Sequence, residues 1–178
     1  MPVVLTVGHS THPPEAFLRL LRRAGVCAVA DVRRFPSSRR HPHFNAAELE
    51  RLLARAGIAY RHLPELGGRR KAVPGSPNGG WQVGQFQGYA DHMASPEFRA
   101  GLDRLVELAG ECRTAVMCAE AQWWRCHRRL VSDALVVRGH EVHHLGHRGE
   151  LTAHELTPFA VVAGERITYP PAQEELQV

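Results

Sequence analysis

The segment Cys118–Arg129, CAEAQWWRCHRR, holds the densest set of reactive side chains in the chain. Cys118 closes an apolar run, and a loop then leads toward a helix expected to begin near Trp123. Backbone N–H groups at a helix start, with Arg125 and Arg128 close by, stabilise an anion. That anion is either a bound phosphate or the Cys118 thiolate, whose pKa such surroundings lower. The competing reading makes Cys118 a small buried core residue. Cys126 and His127 are adjacent, so on a helix their side chains diverge by roughly 100° and need not pair. A Cys118–Cys126 couple is conceivable, but its spacing matches no redox motif. As a metal set, Cys118, Glu120, Cys126 and His127 fail the usual zinc spacings, and no metal site is expected.

Three further segments could add to this chemistry. Asp31-Val32-Arg33 ends an apolar run, and the period of two puts Asp31 and Arg33 on one face. They either form a local ion pair that orders the loop, or Arg33 reaches a substrate anion. In Gly8-His9-Ser10, Gly8 permits a tight turn, His9 can transfer a proton and Ser10 can hold a phosphate. Leu66-Gly67-Gly68-Arg69 is a glycine-rich turn with a basic end. It is not a Walker loop, because the lysine and the spacing are absent. Trp81, Trp123 and Trp124 could stack on bases, although adjacent tryptophans cannot both face one way.

These segments must be positioned by the elements around them. Val3–Val7, Val26–Val32, Ile58–Leu63, Thr114–Cys118 and Val142–Leu145 read as strands, several too apolar for a solvated face. Between them lie helical patterns. Phe17, Leu20, Leu21 and Ala24 form one face after Pro13-Pro14. Leu49, Leu52, Leu53 and Ala56 form another, and Asn45 with Glu48 has the spacing of a capping box. Phe98, Leu102, Leu105 and Val106 follow Ser95, and Leu130, Val131, Ala134 and Leu135 mark the last helix. Gln85–Met93 is a candidate short helix, and residues 64–84 read as a long mobile loop able to close over a site. Ile167–Tyr169 is a candidate late edge strand. Alternating strands and helices imply a three-layer α/β fold: a mainly parallel sheet of about five strands, with helices on both faces. The expected organisation is one domain over residues 1–170 and a frayed tail over 171–178. In such sheets the crevice lies outside the carboxyl ends of the strands, which is where the reactive segments fall.

Composition narrows the setting. The chain has 178 residues, 44% of them hydrophobic, enough for a single core. No run approaches the ~20 apolar residues of a membrane span, and the start lacks a signal-peptide pattern, so a cytoplasmic protein is expected. The four cysteines, Cys27, Cys112, Cys118 and Cys126, are then expected as thiols. The twelve histidines mostly sit beside arginine or proline, the pattern of a solvated surface. The formal net charge is +4, carried by arginine because Lys71 is the only lysine. A basic balance favours anionic partners.

Taken together, TVGHST (Thr6–Thr11), ADVRRFPSSRR (Ala30–Arg40), YRHLPELGGR (Tyr60–Arg69), MCAE (Met117–Glu120) and CHRRL (Cys126–Leu130) resemble the domain of unknown function 488 family. His154-Glu155-Leu156 and Tyr169-Pro170 also fit. The resemblance spans nearly the whole chain and departs in the loops, notably at Gln122–Trp124. It implies that the GHS, DVR, LGG, CAE and CHR motifs belong together. A looser analogy is to the rhodanese and cysteine-phosphatase layout, although Cys118 and Arg125 are one residue too far apart for the phosphatase loop.

Two functions follow as expectations. In the first, the chain is an enzyme acting on a phosphorylated or nucleotide-like anion. Cys118 is its nucleophile or site-lining thiol, Glu120 an acid–base or orienting group, and His9 the proton carrier. Ser10, Asp31, Arg33, Arg69, Cys126, His127 and Arg128 form the anion-binding set. In the second, Arg33, Arg34, Arg39, Arg40, Arg69, Arg70 and Lys71 meet nucleic-acid phosphates on mobile loops. A non-catalytic scaffold is the third reading. The sequence names no cofactor and no oligomeric state.

Overall fold

The computed structural model describes residues 2–173. Five parallel strands and one antiparallel strand form the central sheet. They are β1 (Val3–Gly8), β2 (Ala28–Asp31), β3 (Ala59–His62), β4 (Thr114–Cys118), β5 (Glu141–Leu145) and β6 (Leu151–Ala153). Their order across the sheet is β3-β2-β4-β1-β5-β6. The helices are α1 (Pro14–Arg23), α2 (Ala46–Arg55), α3 (Gly84–His92), α4 (Pro96–Glu111) and α5 (Arg128–Val137). A separate hairpin joins β7 (Val161–Ala163) to β8 (Arg166–Thr168).

Alternation along the buried strands divides the core in two. Leu5, Val7, Val29, Ala115 and Met117 pack with Phe17 and Leu21 of α1 and with Leu49 and Leu53 of α2. Val4, Ala28, Ala30, Val116 and Cys118 face the other way, onto Tyr89 of α3, Leu102 and Leu105 of α4 and Leu130 and Val131 of α5. The result is the expected three-layer α/β architecture with one strand more. The added strand, β6, is short and solvent-exposed along its length, so it carries no apolar signal to find it by.

Several local expectations are corrected. Asn45 sits at the start of α2 but makes no side-chain cap; its Oδ1 accepts from the Ser38 N–H instead. The segment at Trp123 is a single 3-10 turn, Trp123–Arg125, and α5 begins only at Arg128. Ile167 lies in the separate hairpin, not in the main sheet. Residues 67–83 are irregular yet well anchored: Trp81 is buried among Phe86, Phe159 and Tyr169. Asp91 accepts from Ser76, from the Asn78 amide and from the backbone of Val73. Four thiols are not present. Cys27 and Cys112 form a disulfide and are only half-buried, so they are less deeply packed than Cys118. Of the tail expected over 171–178, residues 174–178 lie outside the described residues, and 171–173 are exposed and irregular. Among the described residues no helix is long and apolar enough to cross a membrane.

Candidate active site

Strand register brings the reactive segments together. Gly8 pairs with Cys118 across β1 and β4, and Asp31 pairs with Met117 and with His62. The ladder continues past the strand ends through His9 N–H to the Cys118 carbonyl and Ser10 N–H to the Ala119 carbonyl. Gly8 is required here: a Cβ would lie 1.9 Å from the Glu120 carbonyl oxygen, which crosses directly over it. Ser10 adopts a left-handed backbone, φ 46°, uncommon for a residue with a side chain.

A cavity of about 620 Å³ opens over this edge. His9, Ser10, Arg33, Arg69, Cys118, Glu120, Cys126 and His127 all line it. So do Arg34, Arg125 and Tyr89.

The floor is a pair of sulfurs. Cys118 Sγ and Cys126 Sγ lie 2.6 Å apart, and both residues are buried. Cys126 has extended backbone, φ −124°, ahead of α5, so the divergence expected of helical neighbours does not apply. Its Sγ sits 3.6 Å from His127 Nδ1 and 3.4 Å from the Arg128 backbone nitrogen. His127 Nε2 donates to the Val32 carbonyl at 2.8 Å, which fixes the ring. Gly68 packs against that ring; a Cβ there would be 2.9 Å from Nδ1. The glycine-rich turn therefore serves close packing on His127.

Electrostatics separate the two thiols. Burial opposes a thiolate at Cys126. The hydrogen bond from Cys118, the neighbouring His127 and Arg128 outweigh it and hold Cys126 well below the usual thiol range. Burial, and then the charge on Cys126, push Cys118 well above that range. Burial likewise opposes charge on His127, yet the adjacent Cys126 raises its pKa.

Arg128 is almost fully buried and has no carboxylate within ion-pair reach among the described residues. One guanidinium nitrogen donates to the Glu120 carbonyl and another to Thr6 Oγ1, while its Nε has no partner among the described residues. Thr6 starts a buried relay. Its Oγ1 lies 2.6 Å from His144 Nδ1, His144 Nε2 lies 2.9 Å from His154 Nδ1, and His154 Nε2 lies 2.8 Å from Asp133 Oδ1. Arginine only donates and carboxylate only accepts, so with neutral imidazoles every bond in the chain points from Arg128 to Asp133. Both histidines then carry their proton on Nε2. Asp133 also accepts from Tyr169 Oη–H and from the Thr157 backbone. Sequence reasoning missed this relay. Its visible trace was Ser132-Asp133 interrupting the apolar pattern of α5, and His144 inside an apolar strand.

The remaining candidates have narrower roles. Asp31 is fully buried and accepts from Arg33 Nε and Nη2, from the Arg33 backbone and from Tyr60 Oη–H. Arg33 keeps Nη1 free of Asp31, 3.4 Å from His9 Nε2. His9 Nδ1 donates to the Ser10 carbonyl, so Nε2 is the acceptor. Burial lowers the His9 pKa to about 4, leaving the ring neutral at pH 7. Glu120 is exposed; its carboxylate accepts from Gln122 N–H, and its carbonyl does the buried work. Arg69 is exposed, in left-handed backbone, and its carbonyl accepts from Arg34. Arg70 is largely consumed by the Gly67 and Pro64 carbonyls and Glu97. Among the described residues no three His, Cys, Asp or Glu side chains converge as a metal site requires.

Fold and site define a three-layer α/β protein with a cysteine pair at the carboxyl edge of its parallel strands. The family described as Domain of unknown function DUF488 matches residues 13–135, and the chain belongs to that family. The match takes in the DVR, LGG, CAE and CHR motifs; GHS, His154-Glu155-Leu156 and Tyr169-Pro170 fall outside it. No curated protein and no solved structure matches the chain.

Proposed function

We propose that this protein is an enzyme that binds a phosphorylated or nucleotide-like anion over the cysteine pair and attacks it with Cys126. The carrying observation is the pairing of Cys126 with His127, Arg128 and Cys118 on the floor of an arginine-rimmed cavity. In this reading Cys126 enters as the thiolate, so attack releases no proton from sulfur. Its electron pair forms the new bond, and the leaving group departs with the electrons of the broken bond. The leaving group takes a proton from His127, which is the acid. Cys118 donates a hydrogen bond to Cys126, a supporting role in place of the nucleophilic one expected from its strand-end position. Arg33, Arg69 and Arg125 meet the anion, Ser10 offers its hydroxyl, and Asp31 orients Arg33. His9 is neutral and accepts from Arg33, which suits a proton acceptor and not an acid. The nucleic-acid reading is weakened because Arg70, one of its phosphate contacts, is taken up by the Gly67 and Pro64 carbonyls and Glu97.

Alkylation by iodoacetamide, followed site by site by mass spectrometry, tests this. Cys126 should react with a midpoint below the free-cysteine value of about 8.5 and faster than Cys118. Inorganic phosphate should slow that reaction. A Cys126 midpoint at or above that of free cysteine, with no protection by phosphate, refutes the reading.

A further inference from the structure

A second cavity, of about 600 Å³, adjoins the first. Ser10, Thr11 and Ala121 belong to the walls of both. The two lie side by side at the carboxyl edge of the sheet, with the Ser10–Thr11 turn in the wall they share. Their chemistry differs. The first carries Arg33, Arg34, Arg69 and Arg125. The second has a single guanidinium, Arg128, already turned to Thr6 and the Glu120 carbonyl. In their place stand flat rings: Trp123, Trp124, His12, His144 and His147.

Those rings are not equivalent. One face of Trp123 is filled by His144, parallel at 4.0 Å between centroids with 4° between the planes. Trp124 stands perpendicular to Trp123 at 5.7 Å and meets no other ring among the described residues. It is 48% exposed, a large apolar surface on the wall of this cavity. Glu150 and Thr152 at the same cavity supply edge acceptors and a hydroxyl. An anion site beside an aromatic slot with hydrogen-bonding edges matches a ligand with a charged end and a planar polar end that spans the shared wall. Ser10, whose hydroxyl is unpartnered among the described residues, stands in the wall that the two cavities share.

We infer that the second cavity is a nucleobase subsite, with Trp124 as its stacking platform, and that the ligand class is a nucleoside monophosphate. Its phosphate lies at the arginines above Cys126 and its ribose passes over Ser10–Thr11. This rests on the anion reading of the cysteine cavity and adds the part of the ligand that phosphate alone lacks. Stacking is tolerant of base identity because every base has a π-face, so purine and pyrimidine nucleotides both bind.

Titration calorimetry with AMP, CMP, adenosine, ribose 5-phosphate and inorganic phosphate tests it, using the wild type, Trp124→Ala and Trp124→Phe. Trp124 is exposed, so neither variant opens the core. AMP or CMP should bind roughly 5- to 150-fold more tightly than ribose 5-phosphate, the range for one stacked base. Trp124→Ala should erase that advantage and leave ribose 5-phosphate unchanged; Trp124→Phe should restore most of it. Equal binding of nucleotides and ribose 5-phosphate by the wild type overturns the subsite while the anion reading stands. Adenosine binding that depends on Trp124, with no binding of any phosphate, upholds the subsite and overturns the anion reading. Far tighter binding of a single-stranded oligonucleotide, collapsing with salt, overturns the mononucleotide in favour of nucleic acid.

Discussion

Lowering the pH should unfold this protein through histidines that must stay neutral. His144 is held at about 3, by burial first and then by His154 and Arg128. An unfolded histidine titrates near 6.5. The unfolded chain therefore takes up the proton that the folded chain refuses, and stability is lost as pH falls from about 6.5 toward 3. Between pH 7.5 and 5 the difference spans about 1.5 pH units of full linkage, or ~2 kcal/mol. His9, held at about 4, contributes a similar ~2 kcal/mol over the same window. At ~2–4 °C per kcal/mol for a chain of this size, the two lower Tm by roughly 8–16 °C. His127 works in the opposite sense, because its raised pKa gives stability that is present in acid and lost as pH rises. The His144→Gln variant separates these contributions. It should be less stable than wild type at pH 7.5, since the relay from Thr6 to Asp133 is broken. The gap should narrow by ~2 kcal/mol at pH 5, where the wild type carries the histidine penalty and the variant does not. Chemical denaturation of both proteins at both pH values reads the gap directly. A gap that stays constant or widens on acidification refutes a neutral, buried His144.

Other perturbations probe the same framework. Asp133→Ala strands three buried donors, from His154, Thr157 and Tyr169, and should cost ~3–5 kcal/mol in urea unfolding. Tyr169→Phe takes from Asp133 Oδ2 the donor it has and should cost ~1.5–3 kcal/mol. Gly8→Ala drives a Cβ into the Glu120 carbonyl and should cost ~1–3 kcal/mol. It should also abolish phosphate protection of Cys126, because the loop that seats the thiol must move. Reducing the Cys27–Cys112 disulfide, which spans 85 residues, should lower stability by ~2–4 kcal/mol. Cys27→Ser should reproduce that loss and leave Cys126 alkylation unchanged.

The sequence by itself determined the layered architecture. Apolar runs such as Val26–Val32 and helical faces such as Leu49-Leu52-Leu53 encode burial locally, through periods of two and 3.6. Placing the reactive segments after strands followed from that, because parallel strands share one carboxyl edge. Their one-cavity meeting at His9, Arg33 and Cys118 is a consequence of register. What tertiary structure alone decided is which groups touch. The pairing of Cys126 with Cys118 and His127 depends on an extended residue between a 3-10 turn and α5, and a helical reading of CHRRL points those side chains apart. The Cys27–Cys112 bond joins the residue before β2 to the end of α4, a contact with no local signature. The relay gathers Thr6, Asp133, His144 and His154 from β1, α5, β5 and the segment after β6. Each of these residues alone reads as an ordinary polar position. Hydrogen-bond polarity and thiol pKa depend on distances of a few ångströms between segments far apart in the chain, and no periodicity in the sequence records such distances.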